Sequence, residues 1–437
     1  MKWSEPADRR VVEAVVATFC ESAESSHARL SVFNYRDWAR TYHWLDASGM
    51  ALYFLDEIQT RGIQDALPQA VLWRLRQNLA DNTIRSSVMF AEFTEINRAF
   101  QQAGILYSNL KGFTLSPESC PNPALRCQLD LDFLVDGHHL NLCREILAKT
   151  GYQLTASTDT VWEFKAGSSE LASMKDHYKA KPQRSVELHF SASAYDRSPT
   201  RDERLDRLRL HFFGGIAFPA LSVEDLFVGQ ALHLFGHLRG ASTRLSWFME
   251  YKRHVLSHYE DSGFWSEVKD CSQTMQQASV GIGVVTLLSA KIFSGRAPGL
   301  LESWTVDRLP AAVRLWADHY GRRAVLADFP GTKLYLLLED ELARGDSSWQ
   351  KRKRSSLLPF RRVPTIVHAG PDDNALKWLR RGFYQSRYVL FRLRFHVVEG
   401  LRYMVESARW KRQTTALQDR SSYQGVKEPS PSKSLRS

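Results

Sequence analysis

Two aspartates separated by a single residue lie in an otherwise apolar run, residues 129–135. In a β-strand, residues two apart point to the same face, so Asp130 and Asp132 would lie side by side while their apolar neighbours face a core. Unpaired carboxylates are costly to bury in such surroundings. Because carboxylate oxygens are ligands that Mg²⁺ prefers, the pair predicts a metal site. The alternative is a pair of aspartates that only caps a turn.

Two other segments carry groups that could complete this site. Lys111 and Gly112 directly follow a strand-like run, and a lysine beside a flexible backbone could hold a phosphate. Glu187 and His189 are two apart in a further apolar run, so they would share one face of a strand. Glu187 could supply the third carboxylate of a two-metal site, or it could face solvent on an edge strand. His189 could orient Glu187, touch a substrate or be a half-buried histidine.

The elements that must position these residues form a short mixed stretch between helical regions. Apolar residues at spacings of four, three and four predict a helix over residues 84–100 (Met89, Phe93, Ile96, Phe100). Short apolar runs bounded by turn-forming residues predict strands at 105–110, 129–135, 152–155, 161–165 and 185–191, with a helix at 137–150. Further on, Ser222 and Asp225 predict the cap of a helix that runs through His237.

This order of elements predicts an α+β protein in which a small mixed sheet is embedded in a mostly helical chain. The expected division is an N-terminal helical region (residues 1–87), an α/β core (88–195), a helical domain (196–343), a basic aromatic helical C-terminal region (344–412) and a disordered tail (413–437). Residues 344–371 are basic and contain prolines, which is typical of a connector or loop.

Composition and charge limit the classes of function. The chain has 437 residues, 43% hydrophobic and 24% charged, which indicates a soluble globular protein too long for one small module. Its net charge of +10 is uneven: residues 344–437 contain 21 basic and 7 acidic residues, a net of +14, which leaves −4 for residues 1–343. A polyanion-binding surface over the whole molecule is therefore disfavoured.

Location can also be predicted from the sequence. Five scattered cysteines without a CxxC pair disfavour a disulfide framework and a zinc ribbon, and they favour a reducing compartment. The first residues carry charges where a signal peptide needs an apolar stretch. The longest apolar segment, residues 280–293, is shorter than the roughly 20 residues of a spanning helix, so we expect a buried core helix there. The prediction is a cytoplasmic protein that could bind peripherally to a membrane.

The region from Lys377 to Arg412 predicts a helix with two different faces. A seven-residue repeat predicts an ordinary packing stripe (Phe383, Leu390, Val397, Met404). On the opposite side, aromatic residues alternate with arginines (Tyr384, Tyr388, Phe391 and Phe395 with Arg380, Arg387, Arg402 and Arg409). That side could contact an anionic membrane surface, nucleic acid or another part of the chain, and packing within the chain is the first expectation.

The order of these motifs resembles a known family. It comprises Leu110-Lys111-Gly112, then Arg126 with three residues before the aspartate pair, a helix ending at Gly151, and Val186-Glu187-Leu188-His189. This order is similar to the uncharacterised bacterial nucleotidyltransferase family of the polymerase-beta-like superfamily. The resemblance covers about residues 45–255 and includes His233, His237 and the segment from Arg244 to Trp247.

The resemblance implies a minimal nucleotidyltransferase fold for the α/β core. In such a fold, Asp130, Asp132 and Glu187 would bind two Mg²⁺ ions. Lys111 and Gly112 take the place where better-known members of the superfamily carry Gly-Ser to hold the triphosphate. Lys111 and Arg126 are therefore candidates for contacts to the nucleotide, although Arg126 could also be a surface arginine.

The predicted function is transfer of a nucleoside monophosphate from an NTP, such as ATP, to an unidentified acceptor hydroxyl by a two-metal mechanism. One alternative is a non-catalytic nucleotide-binding or regulatory protein with the same fold. Another is a DxD glycosyltransferase, which usually has a nucleotide-binding α/β unit ahead of its DxD. His233 and His237 would share a helix face, but no glutamate follows His233 as in metalloproteases, so we expect them to pack or hydrogen-bond near the cleft.

Overall fold

Along the chain, α-helices precede and follow a seven-stranded sheet. The computed structural model describes residues 7–167, 177–180, 183–193, 198–273, 275, 277–358 and 375–424. The chain divides into two units, of which the first comprises Met1–His237 and Thr243–Arg308. The second comprises Leu238–Ser242 and Leu309–Ser437.

In the described part of the chain, five α-helices precede the sheet: α1 (Arg9–Thr18), α2 (Ala23–Leu30), α3 (Tyr35–Ala47), α4 (Met50–Thr60) and α5 (Gln69–Gln102). Helix α3 begins with a reciprocal cap, because the Asn34 side chain accepts from the Asp37 amide and the Asp37 side chain accepts from the Asn34 amide. The helix predicted over residues 84–100 is confirmed as the second half of α5.

The sheet has the strand order β3-β4-β5-β2-β1-β9-β8. Its strands are β1 (Tyr107–Asn109), β2 (Leu131–Val135), β3 (Gln153–Ser157), β4 (Val161–Ala166), β5 (Arg184–His189), β8 (Leu208–Phe213) and β9 (Ile216–Leu221), and α6 (Leu140–Lys149) lies between β2 and β3. The pairs β2/β5 and β1/β9 are parallel, whereas the other neighbours are antiparallel. Strands β6 (Ser191–Ala192) and β7 (Pro199–Thr200) form a separate two-stranded sheet. The prediction of an α+β protein with a mixed sheet is confirmed.

All five predicted strands are present, but β8 and β9 were not predicted. Strand β8 lies at the edge of the sheet and exposes apolar residues, Leu210 at 58% and Phe212 at 74%. Apolar and polar residues alternate in β8, but the pattern is inverted, because His211 is buried while the apolar residues Leu210 and Phe212 face solvent. Strand β9 contains Pro219, which counts against an interior strand because proline has no amide hydrogen to donate. Here the Pro219 carbonyl accepts from Asn109 Nδ2 at 2.9 Å.

The main core of the sheet lies on the face of β2 that is opposite to Asp132. Leu131, Phe133 and Val135 of β2 are buried there, as the alternation in the sequence predicts. Phe93 and Phe100 from α5 pack into the same cluster. The apolar side of β2 is thus fixed, which leaves Asp132 pointing to the other face.

The helices that follow the sheet are α7 (Val223–Leu238), α8 (Leu245–Ser257), α9 (Ser262–Gln273), α10 (Ala278–Phe293) and α11 (Gly299–Trp304). The predicted cap of α7 is confirmed, since Ser222 Oγ accepts from the Asp225 amide at 3.1 Å. Helix α10 is the predicted buried core helix. None of the described helices is long and apolar enough to cross a membrane.

The second unit contains α12 (Ala311–Trp316), α13 (Arg322–Val325), α14 (Tyr335–Leu342), α15 (Trp349–Leu357) and α16 (Ala375–Gln424). Helix α15 lies within the stretch predicted as a connector, and the rest of that prediction, residues 359–371, lies outside the described residues. Helix α16 continues past residue 412 to Gln424, and the predicted tail beyond it, residues 425–437, also lies outside them.

One face of α16 differs from the expectation, whereas the opposite face packs within the chain as expected. The seven-residue stripe is exposed, with Phe383, Leu390 and Met404 between 58% and 64% accessible, so its prediction as a packing stripe is wrong. The opposite face packs within the second unit and buries Phe395 and Tyr403. Polar contacts on this opposite face, described below, determine which side of the helix turns inward. A repeat identifies an apolar face but does not identify what covers it.

Candidate functional site

The predicted carboxylates meet where β2 and β5 run side by side. These strands pair in parallel, with Asp132 opposite Glu187 and Leu134 opposite His189. His189 Nε2 lies 3.1 Å from Asp132 Oδ1 and 3.3 Å from Glu187 Oε2. Asp132, Glu187 and His189 each offer an atom that could hold a metal ion, and these atoms lie within 4.8 Å of one another. Two strands far apart in the sequence thus build one polar cluster.

Lys111 reaches the same cluster from the other side of β2. Lys111 follows β1, the strand that pairs with β2 on the side away from β5. Its Nζ donates to Asp132 Oδ1 at 3.2 Å. The Lys111 side chain is 27% exposed whereas that of Asp132 is 3% exposed. A partly accessible cation therefore covers a buried carboxylate.

The groups around Asp132 counteract the effect of burial on its pKa. Burial raises the pKa of Asp132, but the hydrogen bond to His189 and the charge of Lys111 outweigh it and hold this pKa below its usual value. Burial lowers the pKa of His189, whereas its hydrogen bonds to Asp132 and Glu187 raise it, with a net increase. The cluster therefore favours an ionised Asp132 next to Lys111 and His189.

The loop after β1 is pressed against the segment that leads into β2. Gly112 has a φ of +69°, which is unfavourable for residues with a side chain. A Cβ atom at this position would also overlap the Gln128 side chain. Gln128 Nε2 in turn donates to the Asp130 carbonyl at 2.9 Å. Glycine at position 112 therefore allows the loop that carries Lys111 to approach the aspartate segment.

A cavity of about 200 Å³ opens beside the cluster. Lys111 and His189 line it, and so does Arg126 from the segment before β2. Helices α7 and α8 form the opposite wall with His233 and Trp247, among others. The cavity thus joins the carboxylate cluster to a basic and aromatic surface.

A family model described as uncharacterised nucleotidyltransferase matches residues 34–285, which is more than half of the chain. The chain belongs to this nucleotidyltransferase family. The resemblance seen in the sequence is thereby confirmed and extended at both ends. A comparison with curated proteins found no match. The region that matches the nucleotidyltransferase family contains the whole seven-stranded sheet, the carboxylate cluster and the cavity.

Asp130 lies just outside the strand on which it was predicted. The sequence predicts that Asp130 and Asp132 lie on one strand, but β2 begins at Leu131, and Asp130 is not a member of the group formed by Asp132, Glu187 and His189. It is still close enough to be influenced by them. Burial raises the pKa of Asp130, and the negative charge of Asp132 raises it further, whereas Lys111 lowers it only in part.

The Arg126 side chain is only 15% exposed, so its interpretation as a surface arginine is wrong. Its Nε lies 3.2 and 3.3 Å from the two carboxylate oxygens of Glu250 on α8. The Tyr53 hydroxyl donates to the same carboxylate at 2.9 Å. Burial lowers the pKa of Arg126, but Glu250 raises it by more, so the guanidinium stays charged.

His233 and His237 pack against Trp247. Their ring centroids lie 5.1 and 4.6 Å from that of Trp247, and 4.6 Å from each other. Burial, helped by the charge of Lys111, lowers the pKa of His233 to about 3. The same causes lower the pKa of His237. Both rings are therefore neutral near pH 7, and His233 adds an uncharged aromatic ring to the wall of the cavity.

Glu250 and Arg204 belong to the site but were not predicted from the sequence. Glu250 lies in an ordinary amphipathic helix, and no local pattern pairs it with an arginine far upstream. Arg204 lines the cavity and is held by Asp202, whose carboxylate accepts from it at 2.8 and 2.9 Å. The motif Asp202-Glu-Arg204 would have given only a weak signal for a short-range ion pair.

The cluster suits a hard divalent cation. Asp132 and Glu187 provide carboxylate oxygens within reach of each other, which are ligands that Mg²⁺ prefers. The pKa of Asp130 is raised first by burial and then by the negative charge of Asp132, and a bound cation would oppose both effects. The imidazole of His189 is a less suitable ligand for Mg²⁺ than for a transition metal. The residues present thus fit a metal held mainly by carboxylates.

Proposed function

We propose that this protein transfers a nucleoside monophosphate from an NTP to an acceptor hydroxyl, with two Mg²⁺ ions held by Asp130, Asp132 and Glu187. The main support is the register between β2 and β5, which sets Asp132 opposite Glu187 in a member of a nucleotidyltransferase family. When bound, the ions would activate the acceptor hydroxyl and stabilise negative charge on the phosphoryl group and the pyrophosphate.

Lys111 and Gly112 are the proposed contacts to the triphosphate. A lysine acts as a mobile point charge, and the 27% exposure of Lys111 leaves it accessible to an incoming anion. Because its Nζ lies 3.2 Å from Asp132, an anion bound to it would lie beside the carboxylates. Gly112 lets the backbone of the same loop come close, as phosphate-binding loops require.

The cavity next to Lys111 would hold one part of a substrate. Its volume of about 200 Å³ is smaller than the roughly 300–1,000 Å³ of pockets for whole drug-sized ligands. Arg126 is held by Glu250 through Nε, and a guanidinium has five N–H donors, so it can still donate to a phosphate or an acceptor group. Trp247 offers an aromatic face to a base or a ring.

ATP as the donor and a cytoplasmic location complete the proposal. The five cysteines lack a CxxC pair and are scattered along the sequence, which supports a reducing compartment. ATP is the donor to test first.

A non-catalytic nucleotide-binding protein is the second candidate. The observation that favours it is that Lys111 Nζ and His189 Nε2 already contact Asp132 Oδ1, at 3.2 and 3.1 Å, which would allow a nucleotide to bind without turnover. A DxD glycosyltransferase has less support, since five helices precede the first described strand where that class has a nucleotide-binding α/β unit.

The test is incubation of the purified full-length protein with each α-labelled NTP and Mg²⁺ in a cell lysate, followed by identification of the labelled molecule. We expect label in one acceptor, its loss with EDTA, and its loss in Asp132→Asn. The matched control is Asp206→Asn, an exposed aspartate outside the site, which should label normally. Tight NTP binding without any labelled product would favour the non-catalytic candidate, and full labelling by Asp132→Asn would contradict both the site and the mechanism.

A further inference from the structure

Helix α16 exposes a long apolar face. Eight large apolar residues follow one another at spacings of three, four or seven, so they lie on one side of the helix. Each is between 52% and 76% accessible, and together they define the α16 apolar face (Leu376, Leu379, Phe383, Leu390, Leu393, Val397, Leu401, Met404). Soluble monomers rarely expose a continuous apolar patch of more than a few hundred Å², and larger ones mark interaction sites.

The other side of α16 is anchored in the second unit. Glu399 accepts from Thr332 Oγ1 at 2.6 Å and from the Lys333 amide at 3.2 Å. Further along, Tyr403 donates to Asp340 at 3.3 Å. Turning the apolar face inward would break these contacts and expose the buried Tyr403. The apolar face is therefore directed outward by the packing of the helix itself.

The charges beside this face are almost all positive. Arg380, Arg387 and Arg394 each follow a residue of the α16 apolar face by four positions, so they form a row along its border. The prediction that Arg380 and Arg387 lie on the opposite side of the helix is therefore wrong. Residues 375–417 contain ten basic residues and two acidic ones, Glu399 and Glu406. Glu399 is used by the contacts above, and Glu406 accepts from Tyr320 at 3.1 Å and from Arg409 at 2.9 Å. The outer surface of α16 is thus apolar in the middle and cationic at its border.

We propose that α16 binds an anionic lipid surface, with its apolar face inserted at the headgroup level and its basic residues on the lipid phosphates. Apolar residues flanked by Lys and Arg are what an interfacial helix needs, because burial of apolar area and attraction to anionic lipids act together. This site is separate from the carboxylate cluster and goes beyond nucleotidyl transfer.

Two other partners fit the surface less well. Nucleic acid would contact the arginines, but seven of the eight residues of the apolar face are aliphatic or Met and offer no ring for bases to stack on. A second copy of α16 could cover the apolar residues, but it would bring two arginine rows together with no free acidic row opposite them. Of these three partners, only a lipid surface would contact both the basic residues and the apolar face of α16 favourably.

The test is co-sedimentation of the full-length protein with vesicles of phosphatidylcholine alone and of phosphatidylcholine with phosphatidylglycerol. We expect at least about tenfold tighter binding to the anionic vesicles, weakening with added salt. The triple variant Leu390→Gln, Leu393→Gln and Val397→Gln should weaken that binding by about tenfold or more, since it removes apolar area from the centre of the face.

The matched control carries Val32→Gln and Leu300→Gln, which change apolar residues exposed to 73% and 52% on the first unit. It should bind vesicles like the unmodified protein. Absence of vesicle binding, equal binding to both vesicle types, or unchanged binding by the triple variant would overturn the proposal. A dimer in light scattering that the triple variant converts to a monomer, without vesicle binding, would instead assign this face to self-association.

Discussion

Asp132 and Glu187 lie directly opposite each other on parallel strands β2 and β5, and His189 Nε2 contacts both carboxylates. Backbone pairing sets their separation, because neighbouring strands lie about 4.8 Å apart. The carboxylates are therefore held by rigid elements, while Lys111 approaches them from the loop after β1. The proposed function requires this site to bind a cation, which makes metal affinity a direct test of the proposal.

Replacing Glu187 should weaken metal binding without harming the fold. We expect Glu187→Gln to reduce Mn²⁺ affinity by at least about tenfold, since it removes one carboxylate ligand. Its side chain is 29% exposed, so the melting temperature should change little. Electron paramagnetic resonance of free Mn²⁺ measures the affinity. The control is Glu203→Gln, a glutamate outside the cluster, and equal affinity in the two variants would contradict the role of Glu187.

Most of the site's local geometry could be predicted from the sequence. The alternation in residues 129–135 and 185–191 correctly placed Asp132, Glu187 and His189 on strands, because the two-residue period is a local property of an extended chain. The same reasoning put Asp130 on β2, where it failed by one residue. The residue at which a strand begins depends on the hydrogen bonds that the adjacent strands make with it. The sequence of the strand itself does not show these bonds.

The parts that could not be predicted depend on contacts between distant segments. Arg126 and Glu250 are 124 residues apart, and nothing near either one indicates the other. Strand β9 contains Pro219 and fits beside β1 because its carbonyl accepts from Asn109. In each case the local pattern is weak or unfavourable and tertiary packing overrides it.

Gly112 should be sensitive to substitution for two separate reasons. Gly112→Ala places a side chain at a φ of +69° and against Gln128, which we expect to lower stability by about 1–2 kcal/mol or more and to weaken NTP binding. Gly62→Ala is the matched control, because φ there is +68° but a Cβ would meet no atom within 4 Å. Thermal unfolding and NTP titration measure both effects. Equal losses in the two variants would show that the approach to Gln128 is unimportant.

The buried Arg126–Glu250 pair should be important for stability. Glu250→Ala would leave the Arg126 charge buried without its partner, since the two side chains are 15% and 2% exposed. Breaking such a pair costs about 3–5 kcal/mol in the free energy of unfolding. Urea denaturation measures it, and Asp206→Ala, which breaks an exposed pair with Arg201, should cost much less.

A double variant separates the charge from the packing. Arg126→Met with Glu250→Ala removes both charges, so it should be more stable than the Glu250→Ala variant alone. If the double variant lost as much stability as the sum of the two single losses, the buried charge would not be the cause.

His254 should make the protein less stable in acid. It is 1% exposed on α8, its Nδ1 lies 3.0 Å from Gln230 Oε1, and burial lowers its pKa to about 3, with smaller contributions from His258 and Arg209. An unfolded histidine has a pKa of about 6.5, so between these two values the unfolded chain binds a proton that the folded protein does not. Stability from this residue is therefore complete above about pH 6.5 and falls as the pH decreases toward 3.

The slope of that loss can be measured. His254 alone should contribute up to about 1.4 kcal/mol per pH unit to the decrease in the free energy of unfolding. In His254→Gln, which keeps a polar side chain near Gln230 but cannot take up the proton, urea denaturation from pH 7 to pH 4 should give a shallower decrease. The exposed His27→Gln should follow the unmodified protein. If the free energy of unfolding of His254→Gln decreased as steeply with pH as that of the unmodified protein, His254 would not be the cause of the acid sensitivity.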